Sequence, residues 1–277
     1  MAQKSILITG CSSGIGHDAA LTLKARGWRV FATCRKADDC ARLRDAGLES
    51  FPLDYEDEKS IKTAFDLVLT ATDGRLDALF NNGAYATPGA VEDLSRDAMR
   101  AIFEANLFGW HDLTARVIPV MRKQGNGRII QCSSVLGLVS APWRGAYVST
   151  KFALEGLSDT LRMELRGSGI SVVLIEPGPI RTAFRQNARL QFEKWIDWEN
   201  SALAPLYRDR LLKRLYAAGN KRDRFELPPS AVTKKLIHAL ESPRPRPRYF
   251  VTTPTYLADI IRRLLPTRAT DRILSGD

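Results

Sequence analysis

The sequence predicts an α/β protein: one doubly wound, parallel sheet of about seven strands with helices on both faces. Three observations carry this expectation. Short apolar, β-branched runs alternate with helical patterns from Lys4 to about residue 178. Some of these runs, such as Val172–Ile175, are continuously apolar, as strands buried on both faces of a parallel sheet are. A glycine-rich turn lies where the first strand would hand over to the first helix.

Strands are expected at Ser5–Thr9, Arg29–Thr33, Ser50–Leu53, Ala78–Asn81, Arg128–Ser133 and Ser171–Glu176, with helices such as Asp18–Arg26 and Tyr147–Arg166 between them. Right-handed crossovers would join them. The pattern changes at residue 183. Residues 183–228 carry no strand signal and are rich in Trp, Leu and Arg, which predicts a helical insertion near the ligand rather than a second domain. Pro228-Pro229-Ser230 opens the next helix. The run from Pro243 to Pro247 is a stiff connection to a last strand at Arg248–Val251. An amphipathic helix completes residues 243–277, and the whole chain, 1–277, reads as one domain.

Composition narrows the function classes. Of the 277 residues, 44% are hydrophobic and 26% charged, which fits a globular chain with a sizeable core. No apolar run approaches the roughly 18 residues of a membrane span, and no secretory signal precedes Ser5, so a cytoplasmic protein is expected. Cys11, Cys34, Cys40 and Cys132 form no Cys-x-x-Cys pair and have no histidine cluster beside them. Reduced thiols are therefore expected, with no metal site and no disulfide framework. The net charge is +10, but residues 1–184 hold 22 Lys/Arg against 21 Asp/Glu, whereas residues 185–277 hold 19 against 10. No nucleic-acid motif accompanies that excess, so no nucleic-acid partner is expected and the tail reads as a solvated basic face.

Thr9-Gly10-Cys11-Ser12-Ser13-Gly14-Ile15-Gly16 follows the first strand with glycines spaced G-x-x-x-G-x-G. Gly10 suits a sharp turn, Gly14 a close approach of backbone to a pyrophosphate, and Gly16 tight packing of helix on strand. The helix start, with Ser12, Ser13 and Ile15, offers free N–H groups and a positive dipole end to an anion. The second strand runs out into Arg35 and Lys36. A carboxylate there would bind the ribose hydroxyls of NAD(H), whereas a cation suits the 2′-phosphate of NADP(H). Asp38 and Asp39 come too late for the acidic position, so NADP(H) is the expected cofactor.

Tyr147 and Lys151 are four residues apart and share a helix face. A phenol, with an ordinary pKa of about 10, needs help to exchange protons near neutrality. A neighbouring ammonium favours the phenolate. Ser134 closes the fifth strand, at the sheet edge where ligands of such folds bind, and could hold a carbonyl oxygen. Hydride acceptance at carbon with proton delivery to oxygen needs these groups.

Together with the glycine turn, Asn81-Asn82-Gly83-Ala84, Asn106, Ser133-Ser134, Tyr147-Val148-Ser149-Thr150-Lys151 and Pro177-Gly178-Pro179-Ile180-Arg181-Thr182 resemble the short-chain dehydrogenase/reductase superfamily in order and spacing. The resemblance implies a Rossmann-type fold. It implies that Ser134 orients substrate, Tyr147 is the acid/base, Lys151 holds the ribose and tunes Tyr147, and Asn106 keeps a proton-relay water. It also implies cofactor contacts from Asp54, Tyr55, Asn82, Gly83, Ala84, Pro177, Gly178, Ile180 and Thr182. One departure is the order Asn-Asn-Gly-Ala at 81–84, where the family has Asn-Asn-Ala-Gly. Gly145-Ala146-Tyr147, Phe152–Gly156, Arg162–Leu165 and Ile261–Pro266 resemble bacterial NADP-dependent aldehyde reductases and, more distantly, retinol and 17β-hydroxysteroid dehydrogenases.

These resemblances imply a carbonyl reductase or alcohol dehydrogenase, assembled as a homodimer or homotetramer. The competing expectation is a catalytically silent NADP(H)-binding sensor or scaffold. A nucleotide-sugar epimerase or dehydratase shares Tyr-x-x-x-Lys but needs another glycine spacing. Residues 183–228 stand where the family builds its substrate lid. Phe184, Phe192, Trp195, Ile196, Trp198, Leu203, Leu206, Tyr207, Leu211 and Leu215 there suit an apolar carbonyl or alcohol substrate, or equally the packing of the segment onto the body. Leu257, Ile260, Ile261, Leu264 and Leu265 follow helical spacing. Two readings stand for that helix: packing against the fold or a sister subunit, and peripheral contact with a membrane surface.

Overall fold

The computed structural model describes residues 3–217 and 224–275. Its strands are β1 (Ser5–Ile8), β2 (Arg29–Cys34), β3 (Glu49–Pro52), β4 (Ala78–Asn81), β5 (Gly127–Cys132), β6 (Ile170–Glu176) and β7 (Arg248–Phe250). They form one sheet in the order β3-β2-β1-β4-β5-β6-β7, and every adjacent pair is parallel. The strands expected from the sequence are all present, displaced by a residue at most at either end. Strand order reverses where β1 pairs β4, with Ile6 opposite Ala78 and Ile8 opposite Phe80. Such a switch point opens a crevice outside the carboxyl ends of the strands.

The central strands are apolar on both faces, and Ile6, Leu7, Ile8, Leu79, Phe80, Ile129, Ile130 and Ile175 lie in one buried cluster. Helices cover both sides: α1 (Gly14–Ala25), α2 (Ala37–Asp45), α3 (Glu58–Ala71), α4 (Arg96–Phe103), α5 (Gly109–Gln124), α6 (Gly145–Glu164) and α7 (Phe184–Trp195). Helix α1 starts earlier than its apolar pattern suggests, because Gly14 to Gly16 form its first turn. It buries Gly16, Ala19, Ala20 and Leu23, a narrow stripe of mostly small residues that lets it approach the sheet closely. Helix α6 buries Ala146, Tyr147, Thr150, Lys151, Leu154, Glu155 and Ser158, so its polar reactive residues face inward. Between α4 and α5 the chain makes a π-turn over Glu104–Phe108, a local widening common at functional sites.

After β6 the insertion holds α7, a turn at Trp198–Asn200 and short helical pieces over residues 204–215. Residues 218–223 of the predicted lid lie outside the described residues. The two ends of the insertion are stitched together by Arg181 N–H on the Leu227 carbonyl (3.0 Å) and Leu227 N–H on the Pro179 carbonyl (3.1 Å). A helix at Ser230–Glu241 follows directly on Pro229 and packs on α1. The C-terminal segment contains two helices, Thr253–Leu264 and Thr267–Ser275, where one was expected. The break falls at Leu265-Pro266, because proline cannot continue the preceding helix. No helix among the described residues is long and apolar enough to cross a membrane.

Candidate active site

The turn between β1 and α1 is held by contacts that leave no room for side chains. Gly10 and Gly14 adopt left-handed backbone, with φ of 68° and 60°. A Cβ on Gly10 would sit 2.6 Å from the Gly83 Cα, and one on Gly16 would sit 2.4 Å from the Gly10 carbonyl oxygen. Asn82 locks the turn by donating from Nδ2 to the Thr9 carbonyl (3.0 Å), while the Asn82 N–H donates to the Thr9 hydroxyl (2.9 Å). The unusual Gly83 gains a physical reason here. A Cβ at residue 83 would lie 3.3 Å from the Gly10 nitrogen, so glycine eases the backbone contact with the turn.

The start of α1 is open to an anion. Ser13 is its N-cap residue but makes no side-chain cap bond, and no acidic residue lies in the first turn. The leading N–H groups therefore keep their donor capacity. Ser12 and Ser13 are exposed and Ile15 is half-buried beside them. Arg35 and Lys36 leave the carboxyl end of β2 exposed, with no carboxylate in ion-pair contact among the described residues. Asp54 accepts the Glu56 N–H at 3.1 Å, which shapes the loop after β3. Tyr55 lies beneath the turn rather than on its surface: its hydroxyl sits 2.7 Å from Thr9 Oγ1 and 2.6 Å from Asn81 Oδ1. This cradle of glycine backbone, uncapped helix and exposed cation fits a dinucleotide phosphate chain.

Ser134, Tyr147 and Lys151 meet beside it. Ser134 caps the short turn Val135–Gly137 by accepting the Leu136 N–H at 3.1 Å. The Val135 N–H donates to the Pro177 carbonyl (2.8 Å), which ties the Ser134 loop to the segment leaving β6. Burial, with Cys132 behind it, pushes the Tyr147 phenol above its ordinary range, and a hydrogen bond with Ser134 pulls it partly back. Lys151 donates from Nζ to the Cys132 carbonyl (2.9 Å) and lies 4.2 Å over the Trp110 ring and 5.5 Å over that of Tyr147. Burial lowers the Lys151 ammonium to about 8, opposed by Cys132 and Glu155. The sequence expectation was a phenol pulled down by the ammonium. In the folded chain the Lys151 Nζ lies 5.5 Å over the Tyr147 ring, and desolvation acts on both groups, raising the phenol and lowering the ammonium.

Asn106 is fully buried in the π-turn. Its side chain accepts the Tyr85 N–H (3.1 Å) and donates to the Tyr85 carbonyl (2.8 Å), binding the loop after β4 to the floor of the site. Ala84 is half-buried in that loop, and the Gly83 carbonyl accepts the Trp110 indole N–H at 2.8 Å. Pro177 is buried, and Gly178 and Ile180 are half-buried. Thr182 arches over the glycine turn, close enough that a Cβ on Gly14 would meet its methyl at 2.8 Å.

The segment after β6 comes down on Tyr147. The Phe184 ring meets it edge-on, with centroids 5.4 Å apart. Phe192, Ile196, Tyr207, Leu211 and Leu215 instead form a buried cluster with Ala90, flanked by Trp143, Trp195, Trp198 and Leu203. Tyr207 anchors it, donating to Asp93 (2.6 Å) and accepting the Ala90 N–H (2.8 Å). Most of the insertion's apolar residues thus pack it onto the body, while Phe184 and Leu206 stay partly exposed. A group that sequence patterning missed lies under the site. Arg248 of β7 binds Glu176 (2.6 Å), Asp159 (2.6 Å) and Glu155, linking β7, β6 and α6.

The family model of short chain dehydrogenases matches residues 4–192. The chain belongs to that family. This short-chain dehydrogenase is 46% identical over 275 residues to the oxidoreductase YbbO of Escherichia coli K12, an alignment covering 99% of this chain and 95% of that protein. It is 34% identical over 268 residues to human 17-beta-hydroxysteroid dehydrogenase type 1, covering 91% and 78%. A short-chain dehydrogenase/reductase from Burkholderia phymatum, solved in complex with NAD, matches the fold with a TM-score of 0.78 at 26% identity, over 98% of this chain and 95% of that one. The short-chain dehydrogenase is accordingly an oxidoreductase that works with a nicotinamide dinucleotide on alcohol and carbonyl groups.

Proposed function

We propose that the chain is an NADP(H)-dependent reductase of apolar aldehydes or ketones, equally able to oxidise the corresponding alcohols. The observation that carries this is the meeting of Ser134, Tyr147 and Lys151 at the carboxyl edge of the sheet, with the Phe184 ring packed on Tyr147. The dinucleotide supplies the hydride when bound. The chain's residues do the rest. The Ser134 hydroxyl donates to the carbonyl oxygen and polarises it. The protonated Tyr147 phenol delivers its proton to that oxygen as negative charge develops there. Lys151, lowered to about 8, can return a proton near neutral pH. Asn106 holds the floor of the site through Tyr85. Exposed Arg35 favours the 2′-phosphate over a bare ribose.

Phe184 on Tyr147, with Leu206 also partly exposed, favours a substrate with a sizeable hydrocarbon body, in the aliphatic, retinoid or steroid range. Buried free thiols at Cys11, Cys34, Cys40 and Cys132 suit a reducing compartment, the cytoplasm. A dimer or tetramer belongs to the same proposal, since an apolar groove between α5 and α6, lined by Ile118, Leu154, Leu157 and Leu161, offers a face to a sister subunit.

Tyr147→Phe tests the chemistry. Its turnover of NADPH with a panel of aldehydes and ketones should fall by about 10²–10⁴-fold, the usual worth of a positioned acid. NADPH should still bind, as measured by its fluorescence. Undiminished turnover would overturn the assignment, and a chain that binds NADPH but never turns over would be the silent sensor.

A further inference from the structure

The helix Thr253–Leu264 is seated inside out. It rests on the body through Thr255 and Ala258, which are 0% and 4% exposed. Its large apolar side chains point the other way: Leu257, Ile260 and Leu264 are 49%, 52% and 75% exposed. These three positions fall at i, i+3 and i+7, one stripe along the helix. Leu265 and, on the next helix, Ile273 are also exposed, at 38% and 52%. An amphipathic helix normally buries such a stripe, because apolar surface is driven out of water.

Cations accompany the stripe. Arg263 borders it, while Arg262 falls on the side of the helix that faces the body, and both share one carboxylate, Asp259, at 3.0 and 3.2 Å. Arg268 and Arg272 stand one turn apart on the second helix and have no carboxylate partner among the described residues. Across the two helices four arginines face two aspartates, Asp259 and Asp271. The helix Thr253–Leu264 also packs against Val135–Gly137, the turn that Ser134 caps, so this surface adjoins the candidate active site.

We propose that the exposed face of these two helices docks the protein onto an anionic lipid surface. The apolar stripe would enter the headgroup–acyl boundary and the arginines would meet lipid phosphates, as interfacial amphipathic helices do. Charge chooses this occupant over a second copy. A two-fold interface sets a patch against itself, which would bring the arginine clusters face to face with no opposing carboxylates beyond the two already present. The proposal is independent of the reaction assigned above and is tested without turnover.

The full chain is floated with vesicles of phosphatidylcholine alone and of phosphatidylcholine mixed with phosphatidylglycerol, at low and high salt. The fraction bound at low salt should be at least about tenfold higher on the anionic vesicles, as a few arginines near the surface imply, and should fall in high salt. The combined variant Leu257→Glu, Ile260→Glu and Leu264→Glu should lose vesicle binding while keeping a cooperative thermal melt within a few degrees of the wild type, since these side chains are about half exposed or more. Arg263→Gln with Arg268→Gln and Arg272→Gln should lose the preference for anionic lipid and retain only weak, salt-insensitive binding. Failure of the wild type to float with either vesicle would overturn the proposal. So would a Glu variant that floats as well as the wild type. A Glu variant that sediments as a smaller assembly, with no vesicle binding by the wild type, would assign the face to a second copy instead.

Discussion

The carboxyl ends of β1 and β6 flank the same crevice, and they are built by opposite means. At β1 the chain is fixed by shape. Gly10, Gly16 and Gly83 bring backbone against backbone, with neutral amide and hydroxyl groups of Asn82 and Thr9 completing the contacts. At β6 the chain is fixed by charge. Glu176 is completely buried, and its partner is a guanidinium from the edge strand, with Glu155 and Asp159 of α6 sharing it. A phosphate chain can be cradled by any backbone that leaves it space, so shape is enough at the β1 end. The β6 end leads instead into the segment that carries Phe184 onto Tyr147.

The strongest way to break the β1 end is Gly10→Ala. Its left-handed backbone alone would cost about 1–3 kcal/mol, and the new Cβ would press on Gly83 at 2.6 Å. NADPH affinity should fall by at least about tenfold, since 1.4 kcal/mol is a factor of ten, and the melting temperature should drop by several degrees. Gly27→Ala sharpens the reading. Gly27 has a φ of 87° but nothing within 4 Å of its would-be Cβ. Its substitution should destabilise the protein through backbone strain alone and leave NADPH affinity unchanged in a fluorescence titration. Equal loss of binding in both variants would show that strain, and not the Gly10–Gly83 contact, controls the site.

The same contrast governs what could be seen in the sequence. The glycine turn was legible because its parts are neighbours in the chain and each glycine has a local reason. Tyr147, Lys151 and Ser134 were legible because a helix face and a strand end place them. The burial of Tyr147 was not, because desolvation is a property of the packed molecule that helix spacing does not reveal. Arg248 was invisible as a partner of Glu176. The two are 72 residues apart, and only the pairing of β6 with β7 joins them, with Glu176 opposite Phe250 in register. The stripe of Leu257, Ile260 and Leu264 was read correctly as helical, yet periodicity alone cannot say which way a helix faces. The structure turns it outward.

Arg35 gives a smaller, more specific effect at the β1 side. Replacement by alanine should leave NADH use nearly unaltered and weaken NADPH by about 10–100-fold, the worth of a charged hydrogen bond of about 1.5–3 kcal/mol. The measurement is kcat/KM with each cofactor on one aldehyde. Equal rates with NADH and NADPH in the wild type would remove the 2′-phosphate from the account while leaving the glycine cradle intact. The β1 end would then recognise only what all nicotinamide dinucleotides share.

The β6 end should betray its charges through pH. Arg162 also pairs with Asp159, which leaves Arg248 to serve Glu155 and Glu176 together, and burial, with Glu155 beside it, raises the Glu176 carboxyl to about 8. Its Oε2 is buried without a hydrogen-bond partner, as fits a group that carries a proton in the folded chain. The unfolded chain releases that proton near the ordinary value of about 4.3. Between roughly pH 5 and 8 the native state therefore binds more protons than the unfolded one, and stability from this group falls as pH rises. Glu176→Gln removes the proton exchange and keeps the shape. Relative to wild type, the variant should gain at least about 1 kcal/mol on going from pH 5 to pH 8, read from denaturant midpoints at each pH. A difference that stays flat over that range would mean Arg248 holds Glu176 ionised throughout. The carboxyl end of β6 would then be a fixed ion cluster, as indifferent to pH as the glycine contacts at β1.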